Sequence, residues 1–332
     1  MHAIVLGSAV GAGFPQWNSN ATACRRSRAG DPAAKPRTQA SLSVSADGLV
    51  WTMLNAAPDI RQQIEMTPEL HPGLGLRSSP IAAVVLTSGE VDCVAGLLSL
   101  RERQPFDLIA TENIHAVLNA NPIFNVLARD VVTRRAIAFD EDFTLPGGLF
   151  LRLFEVAGKV ALYLEGAAEP SDGDTVGAML SHNGARLFYV PACAAMTPAL
   201  AARLRGADMV MFDGTLWQDD EMIRAGLGPK SGRRMGHMSV SGADGTIAAF
   251  ADLCVRRKVL LHINNSNPML LDDSDERAAA ERAGWQVAFD GMRVTLSPHS
   301  SRRQTWKPHC VPSAPNATII CIRFTACCTA AS

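Results

Sequence analysis

The chain has 332 residues, 47% hydrophobic and 19% charged, with 31 basic against 32 acidic side chains. Those proportions describe a globular protein with one large core or two modest ones, and they exclude a disordered chain. A net charge of −1 excludes a whole-molecule field for gripping nucleic acid or an anionic membrane. No stretch is long and apolar enough to insert into a bilayer.

Residues 3–6 read as a first strand that runs into Gly7, Gly11 and Gly13. These glycines do not fit the G-x-G-x-x-G pattern and suggest a loop passing close to a neighbour. The N-terminus lacks a basic region ahead of its short apolar run, so a cytoplasmic protein without a signal peptide is expected. Residues 18–38 are polar, basic and proline-containing, which predicts a surface loop. Residues 39–44 and 49–55 flank Ala46-Asp47-Gly48 as a hairpin.

Residues 81–87 form a strand-length apolar run, and Ser88 to Asp92 are a polar turn. From Cys93 to Arg101 the chain has a helical repeat through Val94, Leu97 and Leu98. Glu90, Asp92 and Cys93 therefore gather where a buried strand opens into a helix. At such a turn Asp92 is either a helix cap or a functional carboxylate.

Residues 106–111 read as a strand, followed by helical turns that carry His115. Residues 150–164 look like two paired strands broken at Ala157-Gly158-Lys159. A second hairpin is expected around His182-Asn183-Gly184. Residues 207–214 predict a buried strand ending in Asp213, and a carboxylate closing an apolar strand marks a site. The polar loop 230–245 carries Arg233, Arg234 and His237, and an apolar helix is expected over 245–253. Residues 258–263 form a strand with His262 near its end. Ser274 caps a helix that Gly284 stops, and two short strands close the domain. Strand-only hairpins mixed with strand–helix alternation imply two mixed sheets packed together and covered by helices, a layered α/β sandwich. No internal repeat is evident.

Of eight cysteines, Cys24, Cys93, Cys193 and Cys254 are dispersed, which suggests reduced thiols or single ligands. Cys310, Cys321, Cys327 and Cys328 crowd a C-terminal stretch without periodicity. The expected domain covers residues 1–297, and residues 298–332 are expected to be an aberrant, disordered tail translated in an altered reading frame.

TSGEVDCVAGLLSLRE resembles the T-H-x-H-x-D-H loop of the metallo-β-lactamase fold. Ser88 and Glu90 stand at its first two histidine positions, Asp92 at its aspartate and Cys93 at its last histidine. VAGK resembles the later P-G-H turn with Lys159 in place of its histidine, and His262 matches the final histidine. More narrowly, HAIVLGSAVGAGFPQWN, LNAAPDIRQQI, DGTLWQDDEM, GRRMGHMS and HINNSNP resemble the pyrroloquinoline quinone (PQQ) biosynthesis protein B family, in order, to about residue 297. That resemblance implies an αββα four-layer sandwich and a part in making PQQ from a Glu–Tyr-containing precursor. It implies either iron-dependent hydroxylation of the tyrosine ring or carriage of PQQ or its precursor towards the periplasm, alongside other PQQ-pathway proteins.

Two departures matter. The family's W-N-C-x-C-x-x-C reads WNSNATAC here, so Ser19 and Ala21 replace two thiols, only Cys24 remains, and the family's structural zinc is expected to be lost. Asp92-Cys93 stands where the family has aspartate-histidine, which puts a thiol beside an oxygen-using site. The resemblance thus implies a mononuclear iron(II) site built from His262, Asp92 and either Glu90 or Cys93. His237 and Asp213 would handle protons beside it, and Lys159, Arg233 and Arg234 would hold a substrate carboxylate. A hydrolase with unusual metal ligands is the remaining alternative.

Overall fold

The structure is a computed structural model and describes residues 1–166 and 173–297; the expected tail lies outside them. The first half contributes β1 (His2–Gly7), β2 (Ser41–Ser45), β3 (Trp51–Leu54), β4 (Ile81–Val85), β5 (Phe106–Ala110) and β6 (Val132–Ala136) to one sheet. The second sheet holds β7 (Phe143–Thr144), β8 (Phe150–Glu155), β9 (Val176–His182), β10 (Ala185–Val190), β11 (Met209–Asp213), β12 (Arg257–Leu261) and β13 (Trp285–Val287). Finally β14 (Arg293–Thr295) returns to pair with β1.

Read from β14 to β6, the first sheet makes three antiparallel pairings and then three parallel ones. The second sheet, read from β7 to β13, repeats that series. The sequence shows no repeat, yet the topology is duplicated. Burial requirements and pairing geometry can persist where side-chain identity has no period.

Local chemistry explains the two hairpins. Asp47 Oδ1 accepts from the backbone of Leu49 and Val50, while Gly48 takes φ 81°. Asn183 (φ 50°) and Gly184 (φ 81°) supply the consecutive positive dihedrals of a tight turn between β9 and β10. The central strand β11 is flanked by parallel partners and all five of its residues are buried, as expected for a strand covered on both faces.

Side-chain alternation sorts two cores. Met209, Met211, Val259 and Leu261 join Leu42, Met53 and Tyr189 between the sheets. Val210, Phe212 and Leu260 face outward with Phe250 and Trp285, whose rings meet edge-on. Helix α1 (Glu112–Ala120) adds Ile114 and Leu118 to the first core, whereas α2 (Pro198–Leu204) and α3 (Asp275–Arg282) close the second. Each of these three begins on a hydroxyl cap: Thr111, Thr197 and Ser274. The result is helix, sheet, sheet, helix. Among the described residues, no helix is long and apolar enough to cross a membrane.

Three expectations change. Residues 160–164 do not pair as a strand. After β8 the chain instead makes a 3₁₀ turn at Leu162–Leu164, with Leu162 60% and Tyr163 43% exposed. The unbroken apolar run Val160–Leu164 supplies part of a cavity wall, through Leu162 and Tyr163, and no sheet edge. The expected loop at 18–38 contains helix Thr22–Arg28, whose buried Cys24 packs beneath it. The helix expected over 245–253 contracts to one turn, Thr246–Ala249.

Candidate metal centre

Asp213 ends β11 with its side chain fully buried. Oδ2 accepts from the backbone N–H of Cys193 at 2.9 Å and from His237 Nδ1 at 2.7 Å. Oδ1 accepts from Thr215, through its backbone N–H at 3.0 Å and its hydroxyl at 2.7 Å. Burial pushes this carboxyl upward. The charge and hydrogen bond of His237, then His262 and Thr215, outweigh burial and hold it below the ordinary value.

His262 follows the last residue of β12. Strict alternation would send its side chain outward with Leu260, but a left-handed φ of 58° ends the alternation there. Neighbouring ladders fix that turn, since Gly214 N–H donates to Leu261 and Ile263 N–H donates to Ser8. His262 Nε2 donates to Asp92 Oδ2 at 3.1 Å, reaching from the second sheet to the first turn of the helix after β4. Burial lowers the affinity of His262 for its proton, yet Asp92 more than compensates and its pKa is raised. Asp92 is likewise driven up by burial but held low by His262 and then His237.

Thr215 is the hub of this arrangement. Besides Asp213, its Oγ1 lies 2.9 Å from His262 Nδ1, 3.1 Å from His237 Nδ1 and 2.9 Å from the His262 carbonyl. The two imidazoles stack with centroids 5.3 Å apart. A carboxylate oxygen of Asp213 and one ring nitrogen from each histidine all lie within 4.8 Å of one another. Two imidazoles and a carboxylate, with a second carboxylate on one ring, form a donor set that suits zinc or iron(II). The residues fit a metal.

The centre borders a cavity of about 800 Å³. Cys93 lines it while remaining 8% exposed; burial, then the charges of Asp92 and Glu90, push its thiol well up. Glu90 also lines it, but its Oε1 accepts from Lys159 Nζ at 2.8 Å and from Leu162 N–H at 3.0 Å. Lys159 is thus bound to protein carboxylates inside the cavity. The structure turns Arg233 to Asp244, and Arg234 is exposed. Neither arginine lines this cavity, although Met235 of the same turn does; Arg233 lies with Asp244 against a separate pocket. Cys193 serves through its backbone, and its thiol is pushed up to about 12 by burial and Asp213. Cys24 Sγ sits 3.9 Å from Asn265 Oδ1 in the turn after His262.

Sequence reasoning placed His237 and Asp213 beside the metal, whereas the geometry groups both with His262 as candidate ligands. It missed Thr215 and Lys230. A hydroxyl two residues beyond a strand-ending aspartate was the available signal for Thr215. Nothing local marked Lys230.

A family described as a beta-lactamase superfamily domain matches residues 50–263. The coenzyme PQQ synthesis protein B of Gluconacetobacter diazotrophicus is 60% identical over 302 residues, covering 88% of this chain and 98% of that protein. The crystal structure of Zn²⁺-bound PqqB from Methylobacterium extorquens is 52% identical, covers 89% of this chain and all of that one, and superposes with a TM-score of 0.87. A diphosphatase of the PhnP family, at 20% identity and a TM-score of 0.64, covers 90% of this chain and 98% of its own, and shares the fold alone. With the sheet order, the strand-end donors and these identities in agreement, the chain belongs to the coenzyme PQQ synthesis protein B family of the β-lactamase superfamily.

Proposed function

We propose that this chain, a protein of PQQ biosynthesis by its family, hydroxylates the tyrosine ring of a small Glu–Tyr-derived precursor with iron(II) as its metal. The observation that carries this reading is the convergence of Asp213, His237 and His262 beside a cavity large enough for a small peptide. A relative solved with Zn²⁺ supports metal binding by the family. Iron bound by two histidines and a carboxylate supplies dioxygen chemistry, since that donor set leaves positions for oxygen and substrate.

The chain's own groups orient and protonate. Asp213 holds the Nδ1 proton of His237, which fixes that ring's tautomer and leaves Nε2 as its donor atom. Thr215 steadies both rings through one hydroxyl. Asp92 accepts the proton on His262 Nε2, and that proton must leave before this nitrogen can ligate. Val91, Leu162 and Tyr163 line the cavity with partly exposed apolar surface, which suits an aromatic ring and excludes water.

Anaerobic loading with iron(II), followed by measurement of stoichiometry and of oxygen uptake with a Glu–Tyr peptide, tests the proposal. One iron per chain and peptide-dependent uptake are expected, with both lost in His262→Ala. No metal and no uptake, together with tight PQQ binding, would support carriage of PQQ instead. Bound metal with ester or phosphodiester turnover would support hydrolysis.

A further inference from the structure

Four charged side chains form an alternating chain along the same cavity: Glu90, Lys159, Glu165 and Lys230. Lys159 Nζ lies 2.8 Å from Glu90 Oε1 and 3.2 Å from Glu165 Oε1, while Lys230 Nζ lies 2.6 Å from Glu165 Oε2. The two carboxylates are held differently. Glu90 is anchored by a backbone N–H as well as by Lys159. Among the described residues, the Glu165 carboxylate is bound by the two ammonium groups alone, one on each oxygen.

Lys159 is also close to the candidate metal centre. Its stem packs against Gly236, the neighbour of His237, so closely that a Cβ at 236 would fall 3.2 Å from Lys159 Cγ. Glu165 and Lys230 are each about a third exposed. Ion pairs that exposed contribute little to stability, so exchanging one carboxylate for another costs little.

We propose that Lys159 and Lys230 form a carboxylate-binding subsite of the metal cavity, held closed by Glu165, and that a carboxylate-bearing aromatic substrate enters by displacing Glu165. Exchange preserves the local charge, because one carboxylate replaces another between the same two ammonium groups. Exposed Leu162 and Tyr163, a few residues before Glu165, offer apolar surface for the aromatic part. The inference rests on the substrate class proposed above, and it replaces the Arg233–Arg234 pair with Lys159 and Lys230 as the anion holders.

Calorimetric titration of the full chain without oxygen tests it, using the Glu–Tyr dipeptide and its fully amidated form, Gln-tyrosinamide. The free dipeptide is expected to bind about tenfold tighter than the amide, the worth of a charge-assisted contact. Lys230→Gln should abolish that preference and Lys230→Arg should restore most of it. Glu165→Gln should tighten dipeptide binding roughly threefold or more, because the internal competitor loses its charge. Equal binding of the two peptides overturns the proposal. So does weaker dipeptide binding, or loss of folding, in Glu165→Gln, since either outcome makes the carboxylate a structural tie. Oxygen uptake separates the two readings. Carboxylate-dependent binding without hydroxylation sinks the function alone, and hydroxylation without carboxylate preference sinks the subsite alone.

Discussion

Thr215→Val removes one buried hydroxyl and keeps the side chain's shape. The structure assigns that oxygen four neighbours: Asp213 Oδ1 at 2.7 Å, His262 Nδ1 and the His262 carbonyl at 2.9 Å, and His237 Nδ1 at 3.1 Å. Asp213 Oδ1 would retain the Thr215 N–H at 3.0 Å, whereas His262 Nδ1 would lose the partner described for it. Leaving one buried polar group unpaired costs about 1–3 kcal/mol. Partners that orient a metal-binding histidine typically contribute about 10–100-fold in metal affinity. Thr215→Val is therefore expected to lose about 1–3 kcal/mol in urea denaturation and about 10–100-fold in zinc affinity by chelator competition. Thr215→Ser keeps the hydroxyl and should stay near wild type. A valine variant that binds zinc within about twofold of wild type would refute the idea that this hydroxyl organises both rings.

The Asp92–His262 pair predicts a pH window for the chelator-treated protein. His262 is raised above its ordinary 6.5, so its contribution is complete below 6.5 and fades as pH climbs through the folded value. Asp92 is held below its ordinary 3.8, so its contribution is complete above 3.8 and fades as pH falls through the lower folded value. Urea midpoints should decline on the alkaline side, and Asp92→Asn should flatten that decline; an unchanged slope would discard the pair as its source. Cys93→His should raise iron(II) occupancy, read by metal analysis after anaerobic loading, whereas unchanged occupancy would mean that side chain 93 does not face the metal. Gly96→Ala puts a methyl about where the carbonyl of Ala57 sits, 2.2 Å away. It should cost roughly 2 kcal/mol or more and weaken metal binding by shifting the helix that carries Asp92. Wild-type denaturation and affinity would show that the two segments can part freely.

The legible parts of the fold were those with local causes. The β9–β10 turn was visible because Asn183-Gly184 supplies two positive dihedrals, and β11 because a four-residue apolar run ends on Asp213. The second strand expected at 160–164 failed because a short apolar run reports burial or a cavity wall as readily as a hydrogen-bonded neighbour. Tyr163 has a cavity on one side and donates its hydroxyl to the Gly89 carbonyl. Glu90 looked like a ligand from its place in the loop. Its partner Lys159 lies 69 residues away, and no local rule announces such a pairing. The direction of His262 was equally hidden, because a left-handed non-glycine residue depends on contacts made by Ser8, Gly214 and Thr215. Thr215 shows the limit most plainly: threonine after a strand is common, and only the assembled loops reveal four polar atoms around its oxygen.

The duplicated sheets meet at a seam, and the donors stand on both sides of it. Asp92 belongs to the first half, while Asp213, His237 and His262 belong to the second, and 170 residues separate the bonded pair Asp92–His262. A cation clasped there would work as a rivet between the halves as well as a reagent. Every increment in its affinity would equally resist their separation, so stripping the metal should loosen the junction before either sheet frays.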